Sequence, residues 1–201
     1  MLKKILDNKI LCILSMIISI VFTFWYMHFS NPLYYYGALS VIGLSHPVLF
    51  KIWGAFTEAA MIYNIIQMYY KYHYNNNWAK GLLFLGLTSI IITVNVPYVF
   101  DNTFKYITHC YGAVSFIIYN AAAMLIIFIK HYKKSKGFKA MTIITFSILI
   151  IVLTLFIIIG ESGILEVTPM ILSFIIMLLI NFTDICKIEE IKAKEKELIK
   201  V

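Results

Sequence analysis

The chain has 201 residues, 61% of them hydrophobic and 13% charged, with a formal net charge of +7. A soluble domain of this length would be about half apolar and about a quarter charged, so the implied solvent is lipid. All seventeen cations are lysines, and fifteen of them fall in four short segments between long apolar runs, 1–9, 71–80, 130–139 and 187–200; charge placed in this way belongs to loops facing an anionic leaflet and excludes nucleic acid as the partner.

The predicted fold class is all-α: a polytopic membrane protein with six transmembrane helices in one bundle and both termini cytoplasmic. Each predicted span is long enough to cross roughly 30 Å of hydrocarbon at about 1.5 Å per residue. The spans fall near 10–28, 48–70, 81–100, 108–130, 140–160 and 167–186. Runs of this length exclude a β-barrel, whose strands are about 10 residues long and alternate in polarity.

Lys3, Lys4 and Lys9 precede the first span. This beginning is similar to a secretory signal, but the apolar run is of spanning length and no small-residue cleavage site follows it, so the segment reads as an uncleaved first helix. The connection 29–47 carries no Lys, Asp or Glu. Trp25, Tyr26, Tyr34, Tyr35, Tyr36, Tyr98 and Tyr111 cluster at the same boundary, where an amphipathic ring lies half in lipid and half in water. Short lysine-rich loops stay inside during insertion. Lys71 and Lys80 therefore place the second connection on the cytoplasmic side, and Lys130, Lys133, Lys134, Lys136 and Lys139 do the same for the fourth. The connections 29–47, 101–107 and 161–166 then face outward.

The second span carries Glu58 about 15 Å below its start at Pro47, near the bilayer midplane. A carboxyl group at that depth must face the bundle interior and take a hydrogen-bond partner. Gly54 and Ala55 beside it suggest close approach of another helix. In the third span Asn95 and Pro97 break the outer end. In the fourth, His109, Gly112, Ala113, Phe116, Asn120 and Ala123 share one helical face. Asn120 reaches the depth of Glu58, which predicts a hydrogen bond between the two. That pair serves either as a structural link between helices or as a functional group.

The fifth span, nearly all Ile, Leu, Phe and Val, reads as lipid-facing. The sixth carries Ser173, Met177 and Asn181 on one face and ends at Asp184, read as a helix cap. Residues 1–186 form the membrane domain, and 187–201 form a charged cytoplasmic helical tail with Glu190 and Lys194 at i,i+4 spacing. A solvated helix end is the simpler account of that tail, and a protein-partner site the alternative.

Near the outer surface Lys51, Asp101, Lys105, His109, Glu161 and Glu166 converge by depth. His109 and Asp101 are candidates for an acid–base pair in which the carboxylate fixes the imidazole tautomer. Ser40 and Cys110 are nearby, but neither sits in a recognised nucleophile motif. Cys12, Cys110 and Cys186 are odd in number and scattered, without CxxC spacing or a Cys/His cluster, so no metal and no cofactor is expected.

Ser40, Gly43, Pro47 and Phe50 in "LSVIGLSHPVLF" carry a resemblance to a known family. So do His109, Gly112, Ala113, Phe116 and Tyr119 in "HCYGAVSFIIY", and Glu166 ahead of a last span ending at Asp184. Over about residues 30–185 the chain resembles the DRAM/Sfk family of six-span proteins, which includes autophagy modulators and proteins of GPI-anchor remodelling. A bacterial six-span family of unknown function shares a similar order of signals. The chain departs from the DRAM/Sfk pattern at Val167 and at Phe182-Thr183-Asp184. The resemblance implies a six-helix fold in a lipid-related setting, with Ser40, Gly43, Pro47, Phe50, His109 and Gly112 shaping the outer loop and the fourth-span face.

Three functions are compatible with these signals. The first is binding or handling of a membrane lipid or lipid-linked ligand in an outer-leaflet cavity of the cell membrane, with Lys51, Glu58, Asn95, His109, Asn120 and Glu161 as ligand-binding residues and Lys51 and His109 near a phosphate. The second is a small proton-coupled transporter in which Glu58 alternates protonation. The third is an intramembrane hydrolase or acyltransferase using His109 and Asp101.

Overall fold

The structure is a computed structural model that describes residues 8–188. It is all-helical apart from turns, with no strand among the described residues. In chain order the helices are α1 (Lys9–Met27), the short α2 (Leu39–Ser45) preceded by a 3₁₀ turn at Tyr35–Gly37, α3 (Pro47–Lys71), α4 (Asn77–Asn95), α5 (Thr103–His131), α6 (Lys136–Ile159) and α7 (Gly163–Phe182). Five of them, α1, α4, α5, α6 and α7, are long and apolar enough to cross a membrane. The chain is thus a multi-span helical membrane protein. Lys3, Lys4 and the Glu190–Lys194 pair lie outside the described residues.

Helix α3 is long enough to span but falls outside that apolar set, and its burial explains why. Its polar residues Thr57, Glu58, Asn64 and Gln67 are all buried among the other helices. Three hydrogen bonds tie it to α1: Trp53 Nε1 donates to Thr23 Oγ1 at 2.9 Å, Ser19 Oγ meets Thr57 Oγ1 at 3.2 Å, and Asn64 Nδ2 donates to Ser15 Oγ at 3.1 Å. Residue numbers fall along α1 as they rise along α3, so the two helices lie antiparallel along most of their length. Interhelical bonds of this kind contribute on average about 0.6 kcal/mol each in a membrane. Further along α3, Tyr69 Oη donates to the Ala123 carbonyl of α5 at 2.6 Å, and Asn181 Nδ2 of α7 donates to the Asn64 carbonyl at 3.2 Å. This makes α3 the central post of the bundle.

The helix ends depart from a reading by hydropathy because capping residues, not apolar ones, set them. Helix α4 stops at Asn95 rather than near 100, since Val96 precedes Pro97 and is extended (φ −95°, ψ 114°). Helix α5 begins at Thr103, five residues before the expected 108, with Asn102 Oδ1 accepting from the Lys105 amide at 3.0 Å. Helices α6 and α7 also begin four residues early, each behind a serine at the N-cap, Ser135 and Ser162. Helix α2 lies in a segment read as loop. Of the small pair on α3, Gly54 does face a neighbour, where an added Cβ would lie 2.5 Å from Val94 Cγ1. Ala55 instead points outward. Helix α6 is the lipid-facing member, with Ile157 84% exposed at one end of an outer face of Ile, Leu and Phe.

Helices α3, α5 and α7 start at one end of the bundle, where α1, α4 and α6 finish. At the opposite end, which carries most of the lysines, Lys71 Nζ donates to the carbonyls of Ile180 (2.7 Å), Asn181 (3.1 Å) and Thr183 (3.2 Å). These belong to the last turn of α7 and its cap, whose acceptors lack intrahelical donors and carry the negative end of the helix dipole; Tyr72 Oη also donates to the Ile180 carbonyl, at 3.4 Å. Lys71→Met keeps the stem and removes the charge-assisted bonds. It should lower the stability of the purified protein by about 1.5–3 kcal/mol, read from thermal or denaturant unfolding in detergent.

Candidate functional site

At the end away from the lysines, the segment before α2 folds down onto the start of α7. The Ile164 amide donates to the Pro32 carbonyl at 3.1 Å. The contact is tight because both partners are glycines: a Cβ on Gly163 would lie 2.3 Å from the Gly37 carbonyl oxygen, and one on Gly37 would lie 1.8 Å from that of Asn31. Helix α2 has no side-chain cap of its own. Glu166, in the first turn of α7, supplies one: the Leu39 amide donates to Oε2 at 2.5 Å and Ser40 Oγ to Oε1 at 2.8 Å.

Glu161 is the second carboxylate at this end. It accepts from Tyr98 Oη, and Cys110 Sγ donates to Oε1 at 3.9 Å. Tyr98 is buried between the rings of Tyr35, Phe100, Tyr106 and His109. Burial raises the Glu161 carboxyl above its ordinary range, with the Tyr98 and Cys110 hydrogen bonds opposing the shift. Burial, together with the Glu161 carboxylate, raises the Tyr98 phenol as well, so Tyr98 stays protonated as the donor. A raised native value means that folded protein holds the Glu161 proton more tightly than unfolded protein. The stability this confers is present below the ordinary Glu range and is lost as pH rises through the native value. Thermal unfolding followed from pH 4 to pH 8 should therefore show a decline that is shallower in Glu161→Gln.

His109 is 2% exposed. Its Nδ1 lies 2.7 Å from the Val96 carbonyl oxygen. A carbonyl only accepts, so Nδ1 carries the hydrogen and Nε2 of the neutral ring presents a lone pair. Nε2 is buried without a hydrogen-bond partner, although the Thr93 backbone is within reach of the ring.

Ser40, His109, Cys110, Glu161 and Glu166 form the polar end of a cavity of about 90 Å³. Apart from Thr93 of α4, whose hydroxyl donates to the Ser89 carbonyl at 2.9 Å, its remaining walls are apolar, built from Phe50 and Trp53 of α3, Phe116 and Ile117 of α5, and Leu149, Val152, Leu153 and Phe156 of α6. A second space of about 30 Å³ shares Phe116, Ile117 and Leu149 and continues to Asn120, Thr145 and Ser173. His109 and Asn120 are eleven residues apart on α5, so the two spaces together track about 16 Å of that helix.

At the deep end, Asn120 Nδ2 donates to Glu58 Oε2 at 3.1 Å, approaches Oε1 at 3.4 Å, and also reaches the Phe116 carbonyl at 3.1 Å. Glu58 is fully buried. The pair anticipated from helical depth is therefore present. Gly86 of α4 makes the room, since a Cβ there would lie 2.8 Å from Asn120 Nδ2 and 3.2 Å from Glu58 Oε1.

The other residues singled out in the sequence lie elsewhere. Lys51 and Asn95 are exposed and border a separate groove with Pro47, Pro97 and Tyr98; His109 is common to the groove and the cavity. The Asn95 amide turns back to its own helix, donating to the Ile91 carbonyl at 2.9 Å. Asp101 and Lys105 are exposed. Asp101 does not pair with His109: it sits in the turn before α5, while the imidazole lies more than a turn inside the helix with Nδ1 committed to Val96. Tyr98 and Gly86 were not foreseen as site residues. A glycine on the face of α4 that meets α5 was the available signal for Gly86. Nothing in the sequence marked Tyr98 as more than a boundary aromatic.

Among the described residues, no group of three or more His, Cys, Asp or Glu side chains is placed to hold a metal ion. Comparison of the chain with family models, curated proteins and solved structures finds no match in any of the three.

Proposed function

We propose that this protein binds or helps reposition a membrane lipid, whose chain lies in the apolar cavity between α3, α5 and α6 and whose head meets the Glu161, Glu166 and His109 end. The observation that carries the reading is the cavity itself: apolar walls of acyl-chain character closed at one end by buried polar groups. Leu153 supports lateral entry, because it lines the cavity and is also 40% exposed on the lipid-facing helix. We further propose that α3 crosses the membrane as a sixth span, since it lies antiparallel to α1 and hides its polar residues inside the bundle. The lysine end then faces the cytoplasm, with both termini on that side of the cell membrane. This setting agrees with what the DRAM/Sfk resemblance implies, and kinship with that family is part of the proposal.

The hydrolase or acyltransferase reading loses its His109–Asp101 pair. Cys110 and Ser40 each direct their hydrogen at a carboxylate rather than at a histidine. The proton-coupled carrier reading rests on Glu58 and is tested separately below.

Native mass spectrometry of gently purified protein tests the lipid reading. Wild type should retain a lipid, and Ala113→Phe, which fills the cavity from the α5 wall, should lose most of it at an unchanged helical content. Equal lipid retention by both proteins would place any bound lipid outside the cavity and end the proposal.

A further inference from the structure

The polar end of the cavity is one-sided in its hydrogen bonding. Glu161 and Glu166 are acceptors when ionised, and His109 Nε2 is an acceptor in the tautomer fixed by Val96. The hydrogens that could have served a ligand are already used: Ser40 Oγ on Glu166, Cys110 Sγ and Tyr98 Oη on Glu161. Among the described residues no lysine lines the space, and Lys51 faces the neighbouring groove. Each carboxylate offers about four lone-pair positions; Glu161 receives two donors and Glu166 three, the Leu39 and Ser40 amides and the Ser40 hydroxyl, so acceptor capacity remains on both. Beside the ionised carboxylates a phosphate would add a further negative group without meeting a donor.

We infer that the head recognised at this end is a hydrogen-bond-donating cation, an ammonium carried on an alkyl chain, and that anionic phosphate heads are excluded. This rests on the lipid-binding reading and replaces the phosphate expected beside Lys51 and His109 with the opposite charge. An ammonium supplies the three donors that the site lacks and offsets the repulsion between two half-buried carboxylates. The Phe50 and Trp53 rings in the cavity wall add faces that attract a cation. The apolar remainder of the cavity takes the chain.

Trp53 provides the reporter. It lines the cavity and is 7% exposed, whereas Trp25 and Trp78, the other two of the three tryptophans, are exposed at 49% and 84%. A Trp25→Phe, Trp78→Phe background leaves Trp53 as the single fluorophore. Twelve-carbon chains brominated near the tail and ending in a primary amine, an alcohol or a phosphate monoester are added at equal mole fraction in maltoside micelles at pH 7. The amine should quench Trp53 at least tenfold more tightly than either other probe, and Glu161→Gln with Glu166→Gln should bring it close to the alcohol. Glutamine keeps an acceptor oxygen for Tyr98 at 161 and for the Leu39 amide at 166, where its amide can donate to the Ser40 hydroxyl, so the fold is preserved while the charge is removed. Phosphate or alcohol binding as tightly as the amine would overturn the cationic head but leave the lipid site standing. Absence of quenching by all three would overturn both.

Discussion

Asn120→Leu should destabilise the protein by about 1–3 kcal/mol, because it leaves the fully buried Glu58 without its donor. Adding Glu58→Met should return most of that loss, since two apolar side chains of similar length replace the pair without stranding a polar group. Unfolding of the two single variants, the double variant and wild type in detergent gives the coupling directly; singles that simply add would show that the bond contributes nothing. The same proteins separate a structural from a functional carboxyl. If the double variant folds and retains lipid as wild type does, Glu58 serves the bundle and the carrier reading fails. If Glu58→Gln folds normally but abolishes proton-coupled uptake of a solute into proteoliposomes, the lipid reading yields to the carrier. Gly86 sharpens the contrast: Gly86→Ala places a Cβ against both partners. It should weaken the pair without altering either side chain.

That this pair could be read in the sequence, and the acid–base pair could not, follows from what each depends on. Helical rise fixes depth, so two polar residues that must avoid lipid at the same level, Glu58 and Asn120, are driven to each other. His109 and Asp101 are close in sequence but lie on opposite sides of a helix start, where water competes for the carboxylate and the broken end of α4 offers His109 a carbonyl instead. Hydropathy located the apolar cores of the helices and missed their polar first turns, because Ser162 and Asn102 act through capping hydrogen bonds that hydropathy does not register. It also passed over α2, whose N-terminus is capped by Glu166 from the far end of the chain. Periodicity cannot carry a contact between residues separated by more than a hundred positions. The inward stripe on α5 was legible since it recurs at helical spacing: His109, Gly112, Phe116, Asn120 and Ala123 are buried, and Ala113 is half-buried.

Gly163→Ala should abolish lipid retention, although position 163 does not line the cavity. The added Cβ would lie 2.3 Å from the Gly37 carbonyl oxygen and 3.3 Å from Pro32 Cα, and backbone atoms cannot swing aside as the tip of a flexible side chain can. The 28–46 segment must lift away from α7, at a cost of about 1–3 kcal/mol for overpacking. Lifting withdraws the Leu39 amide and Ser40 hydroxyl from Glu166, removing the wall that α2 contributes beside the two carboxylates. Gly81→Ala is the matched control: an added Cβ there meets nothing within 4 Å on an exposed helical surface, so lipid retention should be unchanged and stability equal to or slightly above wild type, by up to about 1 kcal/mol. Native mass spectrometry and thermal unfolding on both variants decide the matter. Gly163→Ala that loses stability yet keeps its lipid would mean the ligand is held by the helices alone, with the 28–46 segment a lid rather than part of the binding surface.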